Sequence, residues 1–214
     1  MTLLTQDPTE VLQAEALQAE TSQAETSQAS RSAVLRTARL VLRAPRMDDA
    51  KAIKALINDR RIAENTARIP HPYTLKDAKA FIASTSGGRL PQFVITLADG
   101  RIVGGCGIGT LRADGPEIGY WIGVPHWGNG YATEAARALI DHAFGDLDYE
   151  VLRAGARVTN PASRRVLEKC GFQWTGVVLQ RVVALGSSAP SDRFRLDRGL
   201  WASLRNWGKV LPID

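Results

Sequence analysis

Cysteine and histidine are scarce in this chain: its 214 residues include 2 Cys and 3 His. Cys106 and Cys170 lie far apart in sequence and lack metal-ligand spacing. Two isolated thiols build no disulfide framework, and a reduced, cytoplasmic setting is the plain expectation. His71, His126 and His142 are scattered and form no metal cluster by themselves, so no metal is expected. Long hydrophobic runs are also missing. No apolar stretch approaches the ~18 residues of a membrane span, and the N-terminus lacks the basic start and apolar core of a secretory signal. No membrane partner is expected. Two familiar phosphate loops are incomplete. Gly123 and Gly128 have P-loop spacing, but Asn129-Gly130 stands where Lys-Ser/Thr should follow. Gly128-x-Gly130 opens a dinucleotide fingerprint whose third glycine position holds Thr133. Basic motifs with interleaved aromatics are absent too, so no nucleic-acid partner is expected.

Charge is present but uneven. The chain carries +5 overall. Residues 1–35 hold Asp7, Glu10, Glu15, Glu20 and Glu25 against Arg31, so this stretch is acidic and the remainder strongly basic, mostly through arginine. A basic body suits a polyanionic ligand, and equally suits an ordinary solvated surface. The acidic stretch repeats Gln-Ala-Glu with a period of five, as in Leu12-Gln-Ala-Glu and Leu17-Gln-Ala-Glu. Five residues at ~100° each displace successive repeats by ~140°, so no apolar stripe forms. Residues 1–35 are therefore expected to be a low-complexity tail, 36–207 the folded domain, and 208–214 a short C-terminal tail.

From Thr37 onward the pattern alternates between strand and helix. Strands are expected at 39–43, 93–97, 101–105, 117–123, 150–158, 172–184 and around Phe194–Leu196. Asp99-Gly100 joins two of them as a hairpin turn. Helices are expected from Asp48 to about Asn58, after Thr74, over 131–144 and 161–170, and from Trp201 to Trp207. Residues 186–191 read as a loop.

The stretch from Glu117 to Ala135 is the most informative. An apolar, aromatic strand runs through Gly128 and Gly130 onto an alanine-rich helix. Such a junction presents free backbone N–H groups at the positive end of a helix dipole, which makes it an anion site. Glycines let the backbone bend sharply and approach a phosphate closely.

Trp127-Gly-Asn-Gly-Tyr-Ala-Thr-Glu-Ala135 resembles the acyl-CoA loop of the GNAT superfamily of N-acetyltransferases, in the branch of the ribosomal-protein N-terminal acetyltransferases. Gly130 and Ala132 match the superfamily pattern, and Trp127 stands for its Gln/Arg. A second block, Asn160-Pro-Ala-Ser through Glu168-Lys-Cys-Gly-Phe172, resembles the family's Asn-x-x-Ser helix. The resemblance covers roughly residues 37–203. It implies an α/β fold with a mixed seven-stranded sheet, flanking helices and a splayed central strand pair.

It also implies a chemistry: direct acetyl transfer from acetyl-CoA, as cosubstrate, to a primary amine. Trp127, Gly128, Asn129, Gly130, Tyr131, Ala132 and Thr133 would hold the cofactor, with backbone N–H groups on the pyrophosphate. Ile122 and Val124 would contact the pantetheine arm, and a backbone N–H from Ile122-Gly123-Val124 would face the oxyanion. Glu117 matches the position of a general base acting through water, or is a solvated acid at a strand edge. Many members place a tyrosine acid seven residues after the Asn position, where this chain has Leu167. Ser163 is then the hydrogen-bond donor to the thiolate, or a first-turn cap partner. Asn160 anchors the pantetheine, caps the helix, or both. His126 and His71 suit a solvated loop and the acceptor side, and Cys170 suits packing. The acceptor is a protein α-amine or a small-molecule amine such as a polyamine, an aminoglycoside or an amino-acid derivative. A degenerate CoA-binding module is the alternative class. Monomer and homodimer are both compatible with the sequence.

Overall fold

The computed structural model describes residues 33–86, 90–110 and 115–206; most of both expected tails and Trp207 lie outside them. The strands are β1 (Leu35–Arg36), β2 (Leu40–Arg43), β3 (Gln92–Leu97), β4 (Ile102–Gly109), β5 (Glu117–Ile122), β6 (Val151–Arg157), β7 (Gln173–Val182) and β8 (Ser187–Asp197). The helices are α1 (Ala50–Ile57), α2 (Arg60–Ala63), α3 (Leu75–Ser86), α4 (Tyr131–Gly145), α5 (Pro161–Lys169) and α6 (Arg198–Asn206). The strands form one sheet in the order β1-β2-β3-β4-β5-β6-β8-β7. Every neighbouring pair is antiparallel except β5–β6, which is parallel and joined through the crossover helix α4.

The sheet has eight strands where the sequence reading expected seven. The addition is β1, two residues folded back on β2 with Leu35 opposite Leu42. Thr37 closes this turn: its hydroxyl accepts from Leu40 N–H at 2.9 Å. Leu35 belonged to the expected tail, because two residues carry no periodicity. The expected loop at 186–191 is also corrected. Ser187 to Ser191 pair residue by residue with Val182 to Val178, and the turn lies earlier, at Val183–Gly186. Small and polar residues there have weak strand preference, but β7 supplies the ladder. Pro190 lies one residue past the last β6–β8 pair, Arg157 with Ser191; its carbonyl still accepts from Val158 N–H at 3.3 Å, and its missing N–H ends the ladder there. The Asp99-Gly100 hairpin forms as expected, with Gly100 at φ 86°.

Two apolar layers sandwich the sheet. On one face α4 and α5 pack Ala135, Leu139, Phe144 and Leu167 against Leu40, Ile95, Ile118 and Leu152. On the other, α1 and α3 pack Ile53, Ile57, Ala78 and Ile82 against Val94 and Ile102. Strand residues alternate between these faces. Along β5, Ile118 and Ile122 join the α4 side while Trp121 joins the α1/α3 side.

Candidate active site

The parallel pair β5–β6 is the opening in the sheet. Only Glu117–Arg153 and Ile118–Ala154 are paired. Beyond them β5 continues along β4 to Ile122, while β6 continues along β8 to Arg157. The two strands separate into a wedge-shaped seam. Gly123 N–H donates to Val103 carbonyl at 2.9 Å, across to the β4 side. Because backbone groups alternate along an antiparallel strand, the N–H groups of Tyr120 and Ile122 point the other way, into the seam. Of the three positions expected to offer an oxyanion donor, Gly123 is thus committed to the sheet and Ile122 is directed at the opening. The Ile122 side chain is buried in the core, so only its backbone borders the seam.

The glycine loop lies at the end of β5. Trp127 donates its indole N–H to Ile122 carbonyl at 2.7 Å, locking the loop to the strand it leaves. Gly128 and Gly130 take φ of 79° and 78°, a left-handed conformation that side chains disfavour. Gly130 is the N-cap of α4 and offers no side-chain cap. The first-turn N–H groups of a helix have no intrahelical partner, so Tyr131, Ala132 and Thr133 leave donors beside a backbone stripped of Cβ atoms. Free donors at a helix start of this kind suit an anion. Asn129 turns inward, its amide donating to His126 and Trp127 carbonyls at 3.1 and 3.2 Å.

Sequence reasoning missed the brace behind the loop. Arg39, just ahead of β2, donates to Asn129 carbonyl at 3.0 Å, lies 5.0 Å over the Tyr131 ring and pairs with Glu134 at 2.7 Å. Burial works against the Glu134 charge, but Thr37 and Arg39 outweigh it and hold the carboxyl below its ordinary range. No motif signals such a contact, because 95 residues separate its partners.

Across the seam, α5 begins at Asn160, whose Oδ1 accepts from Ser163 N–H at 3.1 Å. This is the cap that the sequence suggested. Ser163 Oγ lies 2.9 Å from the phenol oxygen of Tyr120 on β5, another contact that sequence reading did not reach. Leu167 is fully buried in the core.

Glu117 faces the α1/α3 side. Its two oxygens accept from Arg193 Nη1 and Nη2 at 2.9 and 3.0 Å, with both residues buried. Gly155 makes room for the pair, since a Cβ there would lie 3.1 Å from Arg193 Nη1 and 3.2 Å from Glu117 Oε1. Glu117 is therefore a buried, clamped carboxylate and not a solvated acid. It borders a mainly apolar cavity of about 520 Å³, lined among others by Tyr73, Phe81, Gln92 and Trp121. Residues 66–70 contribute one wall, and the opposite wall is the face of β3–β5. Glycines at 105, 107 and 109 of β4 leave the space that Trp121, Gln92 and Arg68 occupy. Burial and the Asp77 charge push the Tyr73 phenol up to about 12.

Burial pushes the Cys106 and Cys170 thiols up to about 12 and about 11, which suits packing. His142 is buried, with Nδ1 2.7 Å from Asp146; His71 is exposed and His126 half-buried. Among the described residues no group of His, Cys, Asp and Glu could hold a metal ion, and no helix is long and apolar enough to cross a membrane.

Comparison with known proteins adds four findings. Residues 39–173 match the family model described as the acetyltransferase (GNAT) domain. The uncharacterized N-acetyltransferase YoaA of Bacillus subtilis is 30% identical over 161 residues, covering 72% of this chain and 90% of that protein. The uncharacterized protein YkkB of the same organism is 39% identical over a shorter 82 residues, 37% of this chain and 48% of its own length. Among solved structures, the ribosomal L7/L12 α-N-protein acetyltransferase RimL, in complex with coenzyme A, superposes with a TM-score of 0.66 at 17% identity, covering 77% of this chain and 98% of that one.

Proposed function

The chain belongs to the GNAT acetyltransferase family, and from that premise we propose that it transfers an acetyl group from acetyl-CoA directly to the α-amine of a protein N-terminus. The observation that carries the reading is the seam between β5 and β6, which opens beside an uncapped glycine helix start. The loop from Gly128 to Thr133 holds the pyrophosphate, Val124 and the Ile122 backbone border the pantetheine, and Ile122 N–H faces the developing oxyanion. When bound, acetyl-CoA supplies the activated acyl group. The new N–C bond forms as the C–S bond breaks; sulfur keeps the bonding pair, and the nitrogen gives up a proton.

Glu117, bordering the cavity, receives that proton through water. With both oxygens held by Arg193, it serves an acceptor that needs little help. An α-amine near pKa 7.7–8.0 is partly neutral at pH 7, whereas a lysine amine near 10.4 is ~10⁻³ to 10⁻⁴ neutral. Among the described lining residues the carboxylates are Asp77 and Glu117, and each is already bonded, to Thr74 and Arg193. Thr74 is neutral, so Asp77 keeps its charge, and a polycationic acceptor finds that single anionic partner in the set and no acidic cluster.

Thiol release from acetyl-CoA, followed with peptides of free α-amine, α-blocked lysine peptides, spermidine and an aminoglycoside, tests the proposal. Free α-amines are expected to turn over fastest. Faster turnover of spermidine or lysine would overturn the acceptor assignment, and tight CoA binding without thiol release for any amine would overturn the enzymatic one.

A further inference from the structure

The tyrosine missing from α5 is supplied by another element. Tyr120 belongs to β5, and its side chain lies on the α4/α5 side of the sheet, opposite Glu117. Its phenol spans the seam to the first turn of α5, 2.9 Å from Ser163 Oγ and 3.2 Å from Ser163 carbonyl oxygen. Ser163 is held from behind, its N–H on Asn160 Oδ1. A serine hydroxyl has one proton and two lone pairs. When Tyr120 donates to Ser163 Oγ, the serine proton is free to point elsewhere, and the seam borders it. When Tyr120 donates instead to the carbonyl, Ser163 can return its own proton to the phenol and has none for a ligand. A negative charge arriving in the seam favours the first arrangement, because it attracts the serine proton.

We propose that Tyr120 is a positioning residue for Ser163: it donates to Ser163 Oγ and so directs the serine proton at the departing sulfur of coenzyme A. The inference rests on the acetyl-transfer reading above. Sulfur leaves with the bonding pair as a thiolate, Ser163 O–H stabilises it by a hydrogen bond, and solvent returns the proton that the amine gave up. Tyr120 keeps its own proton throughout. Burial raises its phenol well above the ordinary value, against the opposing hydrogen bond to Ser163, which suits a donor that does not ionise.

The test is a double-mutant cycle on Tyr120→Phe and Ser163→Ala with two readouts. Hydrogen bonds to charged groups imply a loss of roughly tenfold or more in kcat for Y120F, with KM for acetyl-CoA unchanged within about twofold, as expected of an interaction absent from the ground state. Y120F is expected to add nothing once Ser163 is Ala. By calorimetry, the wild type is expected to prefer coenzyme A over desulfo-coenzyme A, and both single variants to lose that preference alike. A ring that retains a donor, para-aminophenylalanine at 120, is expected to restore it and separates orientation from mere packing. Wild-type kcat in Y120F, or an equal loss with and without Ser163, would overturn the proposal. If no amine releases thiol even from the wild type, the acetyl-transfer reading fails; calorimetry alone then decides whether Tyr120 aims Ser163 at sulfur.

Discussion

At the scale of single residues, the Glu117–Arg193 pair carries most consequence. Both groups are nearly inaccessible, and Arg193 donates two hydrogen bonds to Glu117 in fork geometry. Burying such a pair stabilises little by itself, but removing one partner strands the other charge. Arg193→Met is expected to cost about 3–5 kcal/mol in urea unfolding, whereas the double substitution with Glu117→Gln should recover much of that loss. An Arg193→Met variant as stable as wild type would show that the pair is not clamped in solution. Glu117→Gln should lower turnover most at low pH and for amines of high pKa, checked by pH–rate profiles with two acceptors. Glu117 was legible in the sequence through its place ahead of the glycine loop. Its partner was not: Arg193 lies 76 residues away and alternates with Phe194 and Leu196 like any solvated strand residue. The same asymmetry separates Ser163, flagged by the Asn160 block, from Tyr120, which only the seam brings to it.

Among the elements, the start of α4 decides cofactor binding and α1 the acid response. Gly130 has φ of 78°, so Gly130→Val should lose about 1–2 kcal/mol of stability from the left-handed backbone. CoA affinity should fall at least about tenfold, since close backbone approach is blocked; retained affinity in calorimetry would place the phosphate elsewhere. At the head of α1, burial opposes the Asp49 charge, but Arg43 at 2.7 and 2.8 Å and the Arg46 N–H at 2.7 Å outweigh it. Asp49 and Glu134 are thus both held below the ordinary carboxylate range. A depressed folded-state pKa contributes stability that is fully present above the unfolded value near ~4 and is lost as pH falls through the folded value. Urea midpoints should therefore drop on acidification below about pH 4, and Asp49→Asn with Glu134→Gln should flatten that drop. An unchanged acid limb in the double variant would remove these two groups as its cause.

For the molecule as a whole, the decisive feature is one parallel contact in an otherwise antiparallel sheet. Two paired residues on each strand hold β5 to β6 before they part, so the ladder is closed on one side of β5 and open on the other. Hydrogen exchange should read this directly: without ligand, the Ile122 amide is expected to exchange at least about tenfold faster than that of Gly123, and to slow when coenzyme A binds. Equal protection would close the seam. Apart from β1, α2 and the 187–191 part of β8, the strands and helices, with the Asp99-Gly100 turn, the glycine loop and the Asn160 cap, were determined by the sequence itself. Periodicity, turn chemistry and capping act between residues close along the chain. Only the tertiary structure decided that Glu117 is clamped, that Gly123 is committed to β4 while Ile122 faces the seam, that Arg39 braces the loop, and that Tyr120 meets Ser163. These pairings join residues brought together by strand order and by the crossover through α4. A hydrogen bond or ion pair depends on distance in space, and no local pattern records which distant partner will arrive.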